Sequence, residues 1–114
     1  MCQFQKRLGA VEQVPLSEYT DNLRKVIASA PQTRFVLVAT APNLDEARNP
    51  RIKTYNQALA QVAEAHDHVV YVDIYEDIWG HRGFTIMEDG THLTEAGHER
   101  IAAKIIGALN AAWR

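Results

Sequence analysis

The chain carries the run Phe35-Val36-Leu37-Val38-Ala39, in which every residue is apolar. A strand with one face in water alternates apolar and polar residues, whereas a continuous apolar run is typical of a parallel strand buried on both faces. A second run, Val69-Val70-Tyr71-Val72-Asp73, follows later in the chain and is apolar up to its last residue, Asp73. The two runs therefore predict neighbouring buried strands of a parallel sheet.

Helical patterns surround and separate the two predicted strands. Apolar residues at helical spacing predict a first helix over residues 15–28, with the stripe Tyr19, Leu23, Val26, Ile27 and Ala30. A second helix is marked by Ile52, Tyr55, Leu59 and Val62 and ends near His66 and Asp67. After a short helical or irregular segment at residues 74–80, Thr94 is predicted to cap a last helix, whose stripe is Ile101, Ile105, Ala108, Leu109 and Ala112.

This alternation of helix and strand predicts the α/β class: a partial three-layer, flavodoxin-like fold with a strand-poor parallel sheet, in one domain over residues 1–114. Two strands leave a sheet edge without a partner. Residues 4–8 could supply part of another strand, but Gln5-Lys6-Arg7 is too polar for a run buried on both faces. We therefore expect an unpaired edge through which copies of the chain self-associate.

Composition narrows the class of protein. The chain has 114 residues, 46% of them hydrophobic and 23% charged, with a formal net charge of -2, which predicts a soluble cytoplasmic domain. Mild acidity without a basic cluster argues against nucleic acid as a partner, because its binding requires Lys and Arg to neutralise phosphates. No run approaches the ~20 apolar residues that span a bilayer, so we expect no membrane segment and no secretion signal. The single cysteine, Cys2, cannot form an internal disulfide.

Asp89 and His92 are the candidate catalytic residues. They lie in Asp89-Gly90-Thr91-His92-Leu93-Thr94, a loop that leads into the last helix. An Asp that accepts the Nδ1 proton of a His fixes the tautomer of the ring and leaves Nε2 free to take a proton from a nucleophile. We expect an Asp89 oxygen within ~3.5 Å of His92 Nδ1, or bridged to it by a water, at the carboxyl edge of the sheet. The alternative is ordinary loop chemistry, in which Asp89-Gly90 forms a turn and His92 is only exposed to solvent.

Together with Gly97-His98, this loop resembles the Asp-x-x-His motif of the SGNH (GDSL) esterases and lipases. The similarity extends upstream to Val14-Pro15-Leu16-Ser17, to the run at 35–39 followed by Thr40-Ala41-Pro42, and to Tyr55-Asn56 and Val72-Asp73-Ile74, so it covers residues 8–114. It is closest to the isoamyl-acetate-hydrolysing esterases. The resemblance implies hydrolysis of small carboxylic esters by a serine that His92 deprotonates while Asp89 holds the imidazolium. It implies no metal and no organic cofactor.

Three further elements of the family pattern are expected upstream of these residues. They are a Gly-Asp-Ser nucleophile motif, an oxyanion-hole glycine and a Gly-x-Asn-Asp block. The first two have no counterpart, and the third survives at best as Gly9-Ala10-Val11-Glu12. The serines of the chain are Ser17 and Ser29, both within or close to the first predicted helix. We therefore expect a truncated, C-terminal portion of an SGNH domain that is inactive alone.

The remaining histidines have simple structural interpretations. His98 is expected on the exposed face of the last helix rather than as a second base. His66 and His68 flank Asp67 at a helix end, where imidazoles cap carbonyl groups and favour the negative end of the helix dipole. We expect this capping role rather than a metal site, because no Cys or His cluster has zinc spacing.

Several other polar and aromatic residues are candidates for structural or site roles. Asp73 is expected to be structural, and Asp45, Glu46 and Arg48 to form a solvated face. Two alternatives stay open for Asn56, which could bind backbone groups of the preceding loop or touch a ligand. Trp79 and Phe84 could be core anchors or the apolar wall of an acyl pocket.

Three hypotheses follow from different classes of protein. The first is an SGNH esterase homologue that lacks its nucleophile. The second is a non-catalytic interaction module that binds a partner through the exposed sheet edge. The third is an unrelated α/β domain of flavodoxin-like topology that binds a small ligand.

Overall fold

The computed structural model describes residues 15–113. Within this range helices and strands alternate as predicted, in the order α1 (Leu16–Ser29), β1 (Phe35–Val38), α2 (Asn49–Glu64), β2 (Val69–Val72), α3 (Tyr75–Gly80), α4 (Arg82–Thr85) and α5 (Glu95–Ala112). A 3-10 helix, Glu46–Arg48, leads into α2. The predicted partial strand at residues 4–8 and the remnant of the Gly-x-Asn-Asp block at residues 9–12 lie outside the described residues.

The two strands form a parallel pair. Phe35 lies beside Val69 and Val38 beside Val72. The Phe35 N–H donates to the His68 carbonyl at 2.9 Å, and the Ala39 N–H donates to the Val72 carbonyl at 3.0 Å. The predicted α/β class with a strand-poor parallel sheet is therefore confirmed.

Two apolar clusters cover the two faces of this sheet, and together they make three layers. On one face α1 and α2 pack on the strands through the buried residues Ile27, Leu37, Leu59, Val62, Ala63 and Val69. On the other face the buried residues are Ala39, Val72, Ile74, Ile78 and Ile86. Half-buried residues of the predicted α5 stripe, Ile101, Ile105 and Ala108, pack against this second cluster. The alternation along β1 sends Leu37 to the first face and Val36 and Val38 to the second.

Strand β1 is less deeply buried than its sequence predicts. Leu37 is its one buried residue, and its other three residues are half-buried. Val36 and Val38 face the second cluster, where α5 packs over β2 more than over β1, so this face of β1 is incompletely covered. Phe35 packs against the first cluster. The expectation of burial on both faces along the whole of this strand is wrong to that extent.

Local differences from the prediction have simple causes. Val26 belongs to the predicted stripe of α1 but is 54% exposed, because it lies on the flank of the helix beside the fully buried Ile27. Helix α2 begins at Asn49 rather than near Ile52, since Pro50 occupies the first turn, where a missing N–H costs nothing. Helix α4 and the 3-10 helix are too short to produce a periodic pattern.

Candidate active site

Asp89 and His92 lie side by side in the loop before α5. Asp89 Oδ2 is 2.5 Å from His92 Nδ1. The second carboxylate oxygen, Oδ1, accepts hydrogen bonds from the backbone N–H groups of Thr91 at 2.9 Å and His92 at 3.0 Å. The predicted contact between the two side chains is therefore confirmed. Both are open to solvent, with 48% of the Asp89 side chain and 74% of the His92 side chain exposed.

The hydrogen bonds determine the charge of the carboxylate. The backbone N–H of His92, then its imidazole and the N–H of Thr91, lower the pKa of Asp89 to about 2. Asp89 is thus ionised at neutral pH and can only accept hydrogen bonds. The neutral imidazole must then carry its proton on Nδ1 and expose a lone pair on Nε2, which is the form that a general base requires.

The loop is held in shape by its own backbone. Ile86 and Leu93 form an antiparallel bridge, and the N–H of Met87 donates to the carbonyl of His92 at 2.8 Å. The N–H of Gly90 closes the turn on the Met87 carbonyl at 2.8 Å. Gly90 has φ of 80°, a conformation that glycine adopts without steric cost. Asp89 therefore lies inside a tight turn and His92 lies just after it; residues 89–92 are called the 89–92 turn below.

Helix α5 is joined to this turn through Thr94. The Thr94 hydroxyl accepts the N–H of Gly97 at 3.1 Å, which confirms the predicted cap, and it donates to the carbonyl of Phe84 at 2.6 Å. The Thr94 N–H donates to the carbonyl of Thr85 at 2.9 Å. Gly97 permits this close approach of α5 to α4, because a Cβ on it would lie 2.4 Å from the Thr85 carbonyl oxygen.

The loop that follows β1 also binds the turn that holds Asp89 and His92. The N–H of Leu44 donates to the Gly90 carbonyl at 2.9 Å, and Asn43 Nδ2 donates to the Thr91 hydroxyl at 3.2 Å. These bonds place Asp89 and His92 beside the carboxyl end of β1, the edge at which open α/β sheets form their sites. Sequence reasoning did not identify Asn43 or Thr91 as site residues. The one available signal for Asn43 is that a polar residue follows the apolar run at residues 35–39 in a loop at the carboxyl end of the strand.

Asn56 and Asp73 both bind backbone groups of the chain. Asn56 Oδ1 accepts the N–H of Thr40 at 2.9 Å, and its Nδ2 donates to the Thr40 carbonyl at 3.0 Å. Asn56 therefore binds the backbone at the end of β1. Asp73 Oδ1 accepts the N–H of Tyr75 at 3.1 Å at the start of α3.

The histidines outside the turn lie apart from it in the sequence and make other contacts. His66 Nδ1 donates to the Val62 carbonyl at 2.8 Å in the last turn of α2, which confirms the predicted capping role. The capping role is wrong for His68: its buried Nε2 has no hydrogen-bond partner among residues 15–113, because the ring packs edge-on against Phe35, with ring centroids 5.9 Å apart. His98 is exposed on α5, as expected. Within residues 15–113 no group of three or more His, Cys, Asp or Glu side chains is arranged to hold a metal ion.

Trp79 and Phe84 are not core anchors. Phe84 is 52% exposed, and the half-buried Trp79 lies under the guanidinium of Arg82, 4.3 Å from the ring centroid. Their place in the wall of an acyl pocket stays a prediction. Asp45 and Arg48 form an exposed ion pair at 3.6 Å, on the solvated face that the sequence predicts.

An ion pair that the sequence did not reveal joins α3 to α5. Arg100 Nε and one of its terminal nitrogens each lie 2.8 Å from a different carboxylate oxygen of Asp77. The Arg100 hydrogen bonds lower the pKa of the Asp77 carboxyl, whose side chain is 16% exposed. This bidentate contact attaches the N-terminal half of α5 to α3, which packs on the same face of the sheet.

Comparison with known proteins agrees with this geometry. The model of the GDSL-like Lipase/Acylhydrolase family matches residues 4–100. No curated protein gives a significant match. No helix within residues 15–113 has the length and apolar character needed to cross a membrane.

Two solved structures are similar to this chain. One is a Streptococcus pneumonia protein described as a candidate platelet activating factor, with 26% identity and a TM-score of 0.71 over 84% of this chain and 52% of that one. The other is the esterase domain of the ORF1 protein from the zebrafish ZfL2-1 retrotransposon, with 19% identity and a TM-score of 0.69 over 82% of this chain and 60% of that one. The chain thus spans between half and two thirds of the length of these structures.

The family match covers most of the chain, so the hypothesis of an unrelated flavodoxin-like domain is wrong. By its sequence match, its three-layer fold and its Asp-x-x-His turn, the chain belongs to the GDSL-like lipase/acylhydrolase family.

Proposed function

We propose that this chain provides the acid–base half of a serine ester hydrolase, with His92 as the general base and Asp89 as the group that orients it. The observation that supports this most directly is the contact of Asp89 with Nδ1 of His92, which leaves Nε2 exposed to solvent and able to accept a proton. The substrate class is a small carboxylic ester, as in the isoamyl-acetate esterases that the sequence resembles.

In the proposed reaction a serine hydroxyl attacks the ester carbonyl, and its proton passes to His92 Nε2. The imidazolium is stabilised by the carboxylate of Asp89 and then protonates the leaving alcohol. Water, deprotonated by the same imidazole, attacks the acyl-enzyme; the serine oxygen then leaves and takes that proton back from the imidazolium as the carboxylic acid is released. Backbone N–H groups would stabilise the oxyanion in both steps.

The serine of this reaction is not assigned within the chain. Ser17 and Ser29 both belong to α1, and the Ser29 hydroxyl donates to the Val26 carbonyl of its own helix at 2.7 Å. We therefore propose that the chain corresponds to the C-terminal portion of the hydrolase and that the nucleophile comes from another part of the fold. An in-frame Gly-Asp-Ser motif in the nucleotide sequence upstream of Met1 would support this proposal.

Hydrolysis of 4-nitrophenyl acetate tests the assignment. We expect the 114-residue chain to hydrolyse this ester no faster than an equal concentration of free imidazole, since loss of the nucleophile costs about a million-fold in turnover. His92→Ala and the control His98→Ala, which removes another exposed imidazole, should lower this background equally. A saturable rate that disappears in His92→Ala alone would contradict the proposal, because a nucleophile would then be present.

A second candidate function is a non-catalytic interaction module. Within residues 15–113 no strand pairs with the outer edge of β1. The N–H groups of Phe35 and Ala39 point to β2, so the peptide groups of Val36 and Val38 point to the outer edge. This edge has no charge or proline to discourage pairing. Self-association through β1 is the form of this function that we propose.

A further inference from the structure

Asn43 connects the end of β1 to the turn that holds Asp89 and His92. It is 8% exposed, and its polar atoms bond to three different residues. Its N–H donates to Asn49 Oδ1 at 2.8 Å, and its carbonyl accepts from Asn49 Nδ2 at 3.0 Å. Its side-chain Oδ1 accepts the N–H of Asp45 at 2.8 Å. The Asn43 backbone is therefore fixed to the first turn of α2.

The remaining donor of Asn43 reaches the turn itself. Asn43 Nδ2 donates to the hydroxyl of Thr91 at 3.2 Å. The backbone N–H of the same threonine donates to Asp89 Oδ1 at 2.9 Å. Thr91 thus lies between a buried amide on one side and the carboxylate on the other.

Close packing reinforces this connection. A Cβ built on Gly90 would lie 3.2 Å from Leu44 Cβ and 3.5 Å from Asn43 Oδ1. The Leu44 N–H also donates to the Gly90 carbonyl at 2.9 Å. The loop after β1 and the turn at residues 89–92 therefore contact each other through one side-chain bond, one backbone bond and van der Waals contact.

We propose that Asn43 is a positioning residue, which acts through Thr91 to hold the 89–92 turn in the conformation where Asp89 orients His92. The inference rests on the proposed acid–base role of that pair. It adds that the geometry of the pair depends on a buried amide from the loop that follows β1. A residue held so firmly to α2 is suited to this task, because its amide cannot follow the motion of an exposed turn.

The charge state of Asp89 reports on this geometry independently of catalysis. Its pKa is lowered mainly by the N–H groups of His92 and Thr91 and by the imidazole of His92, and all of these contacts require the closed turn. If the turn opens, Asp89 loses those donors and its proton affinity rises. Carbon-13 NMR titration of the carboxylate in the 114-residue chain measures this quantity, and nitrogen-15 NMR of the His92 ring identifies the protonated nitrogen.

Two variants and a matched control make the test. Asn43→Ala removes the amide, and Thr91→Val removes the hydroxyl acceptor while it keeps the shape of an exposed side chain. We expect each to raise the proton affinity of Asp89 about tenfold and to accelerate amide hydrogen exchange at His92. Asn56→Ala is the control, since Asn56 is 7% exposed and bonds to the Thr40 backbone. It should reduce stability but leave the titration of Asp89 unchanged.

The outcomes distinguish a failure of the positioning role of Asn43 from a failure of the proposed acid–base pair. An unchanged Asp89 titration in Thr91→Val and in a folded Asn43→Ala would overturn the positioning role of Asn43. An equal rise in the Asn56→Ala control would also overturn it, because the effect would then be a general loss of order. If the unsubstituted chain has its His92 proton on Nε2, the proposed acid–base pair fails first, and the inference fails with it.

Discussion

Gly97→Ala tests how α5 is held against the rest of the domain. On the unchanged backbone the alanine Cβ would lie 2.4 Å from the carbonyl oxygen of Thr85. This is about 0.9 Å closer than the shortest ordinary C···O contacts of roughly 3.3 Å. Thr85 cannot easily give way, since it is fully buried. Its hydroxyl donates to the carbonyls of Ile78 and His81, and its own carbonyl accepts the N–H of Thr94.

The expected cost combines two opposing effects. Overpacking against fixed atoms costs about 1–3 kcal/mol, whereas replacing glycine by alanine in a helix gains at most about 1 kcal/mol. Because the obstacle is a backbone atom, we expect Gly97→Ala to lower the free energy of unfolding by about 1–2 kcal/mol. The matched control is Gly107→Ala in the same helix, where a Cβ meets nothing within 4 Å. This change should stabilise the chain by about 0.8–1 kcal/mol.

Urea and thermal unfolding followed by circular dichroism measure the difference. At roughly 4–8 °C per kcal/mol for a domain of this size, the two variants should move Tm in opposite directions. If Gly97→Ala is as stable as the unsubstituted chain while Gly107→Ala behaves as expected, α5 does not approach Thr85 as described. The orientation of the 89–92 turn, which enters α5 through Thr94, would then need to be revised.

Two further predictions follow from other contacts. Arg100→Leu removes both charge-assisted hydrogen bonds to Asp77, whose side chain is 16% exposed, so the free energy of unfolding should fall at neutral pH. Folding lowers the pKa of Asp77, so the stability that its carboxylate contributes is complete above the ordinary value of 3.8 and is lost as the pH falls through the lowered value. The difference in stability between the unsubstituted chain and Arg100→Leu should therefore narrow in acid. A difference that stays constant with pH would argue against the pair. Self-association through β1 should appear as a concentration-dependent mass in size-exclusion chromatography with light scattering. Val36→Pro removes an outward N–H and should shift the chain towards monomer while it stays folded. Leu37→Pro removes an N–H that faces β2 and should unfold the chain. If the unsubstituted chain is a monomer at every concentration, this interface is refuted.

The structure also shows why the buried strand was only partly predicted correctly. An apolar run shows that a strand can be covered on both faces, but the cover itself comes from elements far away in the sequence. Helix α5 packs through Ile101, Ile105 and Ala108 of its predicted stripe, whereas Ala112 is exposed. It packs more over β2 than over β1, which leaves Val36 and Val38 half-buried. The helix boundaries were predicted more accurately, since they depend on residues within one or two turns.

The amino-acid sequence by itself determined the order of the helices and strands, the Thr94 cap and the contact between Asp89 and His92. Each of these depends on residues a few positions apart, whose spacing along a turn or a strand determines which side chains meet. Only the tertiary structure decided that Asn43 reaches Thr91, that Arg100 pairs with Asp77 and that Gly97 lies against Thr85. Those partners come from different elements, and their contact depends on how the layers pack and on the path of the loops between them, which no local spacing encodes.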